Sequence, residues 1–337
     1  MTTIHFFDAN PQSEAAIRQI TAKPLSGQEL AFHAGPAEAL PDAVIISPFV
    51  TSRITAELIE AMPNLKLIAC RSTGYDNVDL KAAAKHGVSV CNVPSYGENT
   101  VAEYAFGLIL TLTRKIPQAI DQLKAGNTSH EALQGTDLMG KTLGILGAGR
   151  IGCQMAKIAG GFGMKIVAYD TFTDSKRAEQ YGFTYLPLDD VLATADVLSV
   201  HVPNIPETKH LLNARTLATV KPSAVIVNTA RGEVIDARAL IDALSGGRLA
   251  GAALDVFEGE KLASIDAELD QLRAKEVDHL VLQHSLEISV LQKLPNVILT
   301  NHNAFNTAEA VGRINQTTVE NIAAFLAGTP QNEVKAS

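Results

Sequence analysis

The chain has 337 residues, 46% of them hydrophobic and 19% charged, with a formal net charge of −8. That balance excludes a disordered, collagen-like or coiled-coil chain. The acidic excess also offers no general attraction to nucleic acid or to an anionic membrane surface. At roughly 100 to 200 residues per domain, the length argues for two domains.

The N-terminus, Met1-Thr-Thr-Ile-His-Phe-Phe-Asp8, lacks the basic stretch and apolar run of a signal peptide. No segment reaches the roughly 18 apolar residues that cross a bilayer. The longest apolar run, Tyr104 to Leu112, is closed by Arg114 and Lys115 and reads as a buried helix. Cys70, Cys91 and Cys153 are too scattered for a disulfide framework, and no C-x-x-C pair exists. The expectation is a cytoplasmic protein without a metal site.

Strand-like apolar runs recur at Ala43 to Ile46, Leu65 to Ala69, Val88 to Val90, Leu143 to Leu146, Lys165 to Tyr169, Val197 to Val200, Ala224 to Val227, Ala250 to Leu254 and Val297 to Thr300. Helical spacing fills most of the intervals, as at Ala56 to Ala61, Asp79 to Lys85, Ile151 to Ala159 and Arg238 to Leu244. Continuous apolar strands alternating with helices predict an α/β fold with doubly wound parallel sheets. The longest helical candidate, Asn99 to Leu123, reads as the connection between domains. Lys261 to Lys293, acidic and leucine-rich, reads as one or two surface helices interrupting the strand rhythm.

Gly147-Ala-Gly-Arg-Ile-Gly152 follows the strand Leu143 to Leu146 and opens a helix. Such a triplet alone is a weak signal, but here Asp170 ends the next strand, where a carboxylate accepts the ribose hydroxyls of an adenosine. Gly147 permits the turn, Gly149 lets a pyrophosphate approach and Gly152 lets the helix pack closely, with helix N-terminal amides facing the phosphates. The carboxylate of Asp170 would repel a 2′-phosphate, so NAD is the expected cofactor. Gly135-Thr-Asp-Leu-Met-Gly-Lys141-Thr142 matches a nucleotide-phosphate loop literally, yet it precedes a strand where such a loop must follow one. It reads as a turn.

Arg231 and His302 lie just past predicted strands, and Asp255-Val-Phe-Glu-Gly-Glu260, which carries Glu258 and Glu260, follows the strand Ala250 to Leu254, all at the ends where open α/β sheets bind ligands. Arg can hold a carboxylate bidentately, His can donate a proton, and Glu can raise the histidine pKa, a set suited to carbonyl reduction.

With these motifs in order, the chain resembles the D-isomer-specific 2-hydroxyacid dehydrogenases, most closely their D-lactate dehydrogenase branch. The resemblance runs from Arg71-Ser-Thr-Gly74 through Asn92-Val-Pro-Ser-Tyr96, Val101-Ala-Glu-Tyr104, Gly147 to Gly152, His201-Val-Pro203, Asn228-Thr-Ala-Arg-Gly232 and Asp255-Val-Phe-Glu-Gly-Glu260 to His302-Asn-Ala-Phe305. It implies two Rossmann-like or flavodoxin-like domains with the active site in the interdomain cleft. Residues 1–99 and 300–337 would form the substrate domain, and 100–299 the NAD-binding domain with an insertion at 261–293.

The resemblance makes Arg231, Glu260 and His302 catalytic, the family's Arg-to-Glu interval favouring Glu260 over Glu258. Arg150 and Ile151 would join the glycines at the pyrophosphate. Val202, Pro203 and Thr208 would line the adenosine side, and Thr229, Ala230 and Asp255 would flank the nicotinamide. Thr73 and Gly74 would hold the substrate carboxylate by their amides, with Tyr96 and Phe305 closing the pocket around Arg231 and His302. Asn301 stands where many relatives have proline, and the stretch from Glu260 to His302 is longer than usual. The implied reaction is reduction of pyruvate to D-lactate by a homodimer, with a larger 2-keto acid as the alternative. A different class, a non-enzymatic NAD-sensing regulator, is disfavoured by the intact Arg, Glu and His set.

Overall fold

The computed structural model describes residues 2–260 and 278–335. The chain divides into two compact units, Met1–Gly97 with Asn306–Ser337, and Glu98–Phe305.

In the first unit, β1 (Thr3–Phe6), β2 (Glu29–Phe32), β3 (Ile45–Ser47), β4 (Leu67–Ala69) and β5 (Ser89–Cys91) form a parallel sheet in the order β2-β1-β3-β4-β5. Both faces are covered, which is why β3 to β5 read as unbroken apolar runs. Ile4, Phe6, Ile45 and Leu67 pack on one face with Ile17, Val319 and Ile322, while Phe7, Ile46, Ile68 and Val90 pack on the other with Ile59 and Ala83. The helices α1 (Pro11–Thr21), α2 (Ala56–Glu60) and α3 (Leu80–Lys85) each begin under a side-chain cap, from Asn10, Thr55 and Asp79. The C-terminal helix, Ala308–Leu326, packs beside α1. The tail beyond it runs antiparallel to β5, where Val334 N–H donates to the Val90 carbonyl at 2.8 Å.

The carboxyl ends of β1 and β3 are tied by Asp8, whose backbone is left-handed at φ 52°. Its carboxylate accepts from Phe49 N–H at 3.0 Å, from the Ser52 hydroxyl at 2.7 Å and from the Thr51 hydroxyl. Below it lies Arg71, 2% exposed, donating to the Phe7 carbonyl with its guanidinium 4.9 Å from the Phe49 ring centroid. Burial pulls the Arg71 pKa down to about 10 against the opposing pull of Asp8.

The second unit contains α4 (Glu98–Thr113), α5 (Ile116–Lys124), α6 (Arg150–Gly161), α7 (Ser175–Tyr181), α8 (Leu188–Thr194), α9 (Ala214–Leu217), α10 (Ala237–Ser245) and α11 (His279–Lys293). They cover a parallel sheet of β6 (Thr142–Leu146), β7 (Lys165–Tyr169), β8 (Thr184–Tyr185), β9 (Val197–Val200), β10 (Val225–Asn228), β11 (Gly251–Leu254) and β12 (Val297–Leu299). The order β12-β11-β10-β9-β6-β7-β8 reverses direction between β6 and β9, the switch point at which doubly wound sheets bind dinucleotides.

Several expectations need correction. The segment Asn99 to Leu123 is two helices, because Lys115 adopts φ 50° and Pro117 lacks the N–H that a continuous helix needs. The first of them, α4, is no linker but packs on α6 inside the second unit. The passage back to the first unit falls after Phe305, so His302 and Phe305 fold with the second unit; hydrogen bonds to Asp255, given below, hold that loop. Of the stretch 261–293, residues 261–277 lie outside the described residues. The rest forms one helix with an exposed face and a buried one: α11 buries Val281, Ile288 and Leu291, the last within the sheet's core, and exposes Leu282, Leu286 and Val290. Gly140, at φ 76°, turns the chain into β6 and no helix follows, so the phosphate-loop lookalike is a turn. No described helix is long and apolar enough to cross a membrane.

Candidate active site

The glycine turn sits at the switch point. Gly147 adopts φ 97°, and a Cβ there would lie 2.8 Å from the carbonyl carbon of His201. A Cβ on Gly152 would lie 2.2 Å from the Gly147 carbonyl oxygen, whereas the space beside Gly149 is open. Close packing on one side and room on the other is what a pyrophosphate on this backbone requires. Asp170, past β7, accepts Ala148 N–H at 2.8 Å and Phe172 N–H at 3.0 Å, so it braces the turn as well as facing it. Arg150 and Ile151 open α6, and Arg150 lies 3.6 Å from Glu98 at a cavity of about 520 Å³ that also touches Cys153, Lys176 and Arg177. This cavity is lined by none of Arg231, Glu260 and His302.

After β9, Val202 is buried, and the Thr208 hydroxyl donates to the Pro203 carbonyl at 2.5 Å, closing the loop between them. His201 is held by the Ser199 hydroxyl, 2.8 Å from Nε2, and burial lowers its pKa to about 3.

Arg231 follows β10 on a braced loop. The Asn228 amide, 1% exposed, donates to the Arg231 carbonyl at 2.8 Å and accepts Ala230 N–H at 3.0 Å. Arg231 Nη1 donates to the Ala230 carbonyl at 2.7 Å, and the neighbouring Thr229 buries a hydroxyl without a partner. The next residue, Gly232, presses on the 257–258 peptide: a Cβ would lie 2.2 Å from the Phe257 carbonyl carbon. Backbone contact thus joins the arginine loop to the turn that carries Glu260.

Glu260 Oε1 lies 3.1 Å from His302 Nδ1, while its other oxygen accepts Phe257 N–H at 3.3 Å. His302 has the unusual φ of 53°. Asp255 holds it there: fully buried, it accepts the Thr300 hydroxyl at 2.5 Å, Asn303 N–H at 2.8 Å and Ala304 N–H at 2.8 Å. The aspartate expected beside the nicotinamide is therefore also the anchor of the histidine loop. The Phe305 ring stands edge-on to His302, 6.3 Å between centroids. Glu258, the near alternative to Glu260, pairs instead with His210 at 2.9 Å. Reading the sequence missed His210, which stands 48 residues before Glu258 and carries no local signal of the pairing.

Thr73, Gly74 and Tyr96 belong to the first unit. The Thr73 hydroxyl donates to the Val93 carbonyl at 2.6 Å, the Thr73 carbonyl accepts the Asn92 amide at 2.7 Å, and the Ser72 hydroxyl donates to the Gly74 carbonyl at 2.6 Å. The Tyr96 carbonyl accepts from Arg313. Among the described residues, no cluster of three His, Cys, Asp or Glu is placed to hold a metal.

Residues 106–304 match the family model described as D-isomer specific 2-hydroxyacid dehydrogenase, NAD binding domain. The chain belongs to the D-isomer-specific 2-hydroxyacid dehydrogenases. It is 36% identical over 328 residues to a 2-hydroxyacid dehydrogenase homolog of Schizosaccharomyces pombe, covering 96% of each chain. A D-3-phosphoglycerate dehydrogenase of Mycobacterium bovis is 37% identical over 290 residues, 86% of this chain and 50% of that one. The crystal structure of D-lactate dehydrogenase from Aquifex aeolicus, complexed with NAD and lactic acid, superposes with a TM-score of 0.85 at 32% identity, covering 99% of both chains. This dehydrogenase is an NAD-dependent oxidoreductase, and its glycine turn, helix α6 and Asp170 are the parts of this chain that fit that cofactor.

Proposed function

We propose that the enzyme reduces a small 2-keto acid, pyruvate to D-lactate foremost, with NADH. The observation that carries this reading is the couple of Glu260 and His302 at 3.1 Å beside the braced Arg231 loop. Glu260 orients the ring through its hydrogen bond to Nδ1, and His302 passes a proton to the substrate carbonyl oxygen. Arg231 binds the carboxylate and stabilises the charge that develops on that oxygen. Bound NADH supplies the hydride to the carbonyl carbon. Gly147, Gly149, Arg150, Ile151 and Gly152 serve the pyrophosphate, Asp170 the ribose, Val202, Pro203 and Thr208 the adenosine side, and Thr229, Ala230 and Asp255 the nicotinamide. Thr73, Gly74, Tyr96 and Phe305 complete the proposed substrate-binding residues.

Likeness to a D-lactate dehydrogenase holding lactic acid supports pyruvate, as does the Phe305 ring set against His302. Likeness to phosphoglycerate dehydrogenase makes the substrate side chain the point to test. We further infer a homodimer, supported by the exposed apolar face Ile116, Ile120 and Leu123 on α5, and a reducing cytoplasmic setting, supported by three free, buried cysteines.

The test is NADH oxidation with pyruvate, 2-ketoisocaproate and phenylpyruvate, repeated with NADPH. Highest kcat/KM for pyruvate with NADH supports the proposal. A larger keto acid in first place replaces the substrate, and silence on all three points to an NAD-sensing regulator. Light scattering at a dimer mass checks the assembly.

A further inference from the structure

The turn Phe257-Glu-Gly-Glu260 is held at each of its positions by a different element. Gly232 presses on the peptide between Phe257 and Glu258, His210 binds Glu258, and Glu260 binds His302. The remaining contact, at Gly259, comes from α11. A Cβ built on Gly259, which adopts φ 78°, would lie 2.4 Å from Cγ and 2.5 Å from Cβ of His284. The histidine thus rests directly on the glycine's open face. His284 is 8% exposed, and its Nδ1 lies 3.1 Å from Glu287 Oε2, one turn further along the helix. Glu287 is itself held by Gln283 Nε2 at 2.7 Å, and α11 is seated by Val281, Ile288 and Leu291.

We propose that His284 is a positioning residue for the acid/base couple, acting through Gly259 to hold Glu260 against His302. The inference rests on the reading of that couple given above. It assigns the described part of the acidic, leucine-rich stretch a task, as a buttress behind the catalytic turn. Gly259 separates the two glutamates, so a shift of its Cα moves both pairs at once, Glu258 on His210 and Glu260 on His302. A packed side chain without slack makes such a turn adopt one position, and small displacements at a reacting centre are expensive. The charged groups facing the turn from the elements packed on it are Arg231, Asp255, His210, His302, His284 and Glu287. Of these, His302 hydrogen-bonds the carboxylate of Glu260.

The test compares His284→Ala with His284→Phe, which keeps a flat ring on Gly259, and Glu287→Gln, which frees the ring but keeps its size. In His284→Ala, kcat for the 2-keto acid falls about tenfold as Glu260 draws away from His302, while KM for the keto acid changes little. The Kd for NADH stays unchanged, His284→Phe restores most of kcat, and Glu287→Gln falls between. The ring nitrogen signals of His302, followed by NMR in histidine-labelled protein at one fixed pH, move as its hydrogen bond to Glu260 is lost, without any turnover. Unchanged His302 ring signals in folded His284→Ala overturn the inference, as does a loss confined to melting temperature or to NADH affinity. If wild-type enzyme turns over no 2-keto acid, the proposed function fails, and the NMR signals still decide this inference.

Discussion

Asp255 and His302 are joined through the backbone: His302 N–H donates to the Asp255 carbonyl at 3.0 Å, while the Asp255 carboxylate collects the next two N–H groups. A non-glycine residue in the left-handed region is strained and persists only where its surroundings over-determine it. Asp255 supplies that determination. The imidazole is presented to Glu260 by a buried carboxylate at the end of β11.

Replacing Asp255 with Asn therefore does two things. The amide turns a donor toward N–H groups that need acceptors, and buried donors left unpaired cost about 1 to 3 kcal/mol each. Urea unfolding is expected to register a loss of that order, and kcat to fall further than stability accounts for, because His302 leaves its place.

Arg231→Ala and His302→Ala separate chemistry from cofactor binding. Losing the general acid lowers kcat about 10²- to 10⁴-fold, and losing the arginine lowers kcat/KM about 10²-fold or more. Neither change touches the glycine turn, so NADH fluorescence titration is expected to return the wild-type Kd for both.

Glu260→Gln keeps the shape of the couple and removes its charge. The hydrogen bond that orients the His302 ring loses its anionic acceptor, so proton delivery to the carbonyl oxygen slows. Steady-state rates of keto acid reduction are expected to fall about 10²-fold, with the Kd for NADH unchanged in fluorescence titration.

His201 makes a prediction about stability. Its folded pKa is about 3, held down by burial, against an ordinary 6.5. Between these values the unfolded chain takes up a proton that the folded chain refuses. The contribution is complete above pH 6.5 and drains away as pH falls toward 3. His201→Gln should show a smaller fall in Tm between pH 7 and pH 4 than the wild-type chain.

Much of the fold is legible in the sequence because strands covered on both faces must be apolar throughout. β6, β7 and β9 announce themselves in this way, and the glycine turn is fixed by steric demands that only glycine meets. Other elements carry weaker signals. β2 is an edge strand that opens on the exposed Glu29, β8 has only two residues, and β1 is broken by a half-buried His5. The break at Lys115 is hidden because its cause, Pro117, lies two residues beyond it. At the site, the catalytic candidates sit next to strand ends and can be read from position. What holds them cannot: Gly259 against His284 and Glu258 against His210 join residues far apart in the chain, and only the folded backbone shows which glutamate meets which histidine.

The β1/β3 crevice of the first unit has a different consequence. Its sheet order is that of flavodoxin-like folds, which receive a flavin phosphate at this seam. Here the berth has a permanent tenant. Asp8 lays its own carboxylate across the seam, its charge felt by Arg71, so an arriving phosphate would meet a negative charge already satisfied by three donors. Two halves built on related plans are thereby told apart, the seam of one being filled by its own side chain.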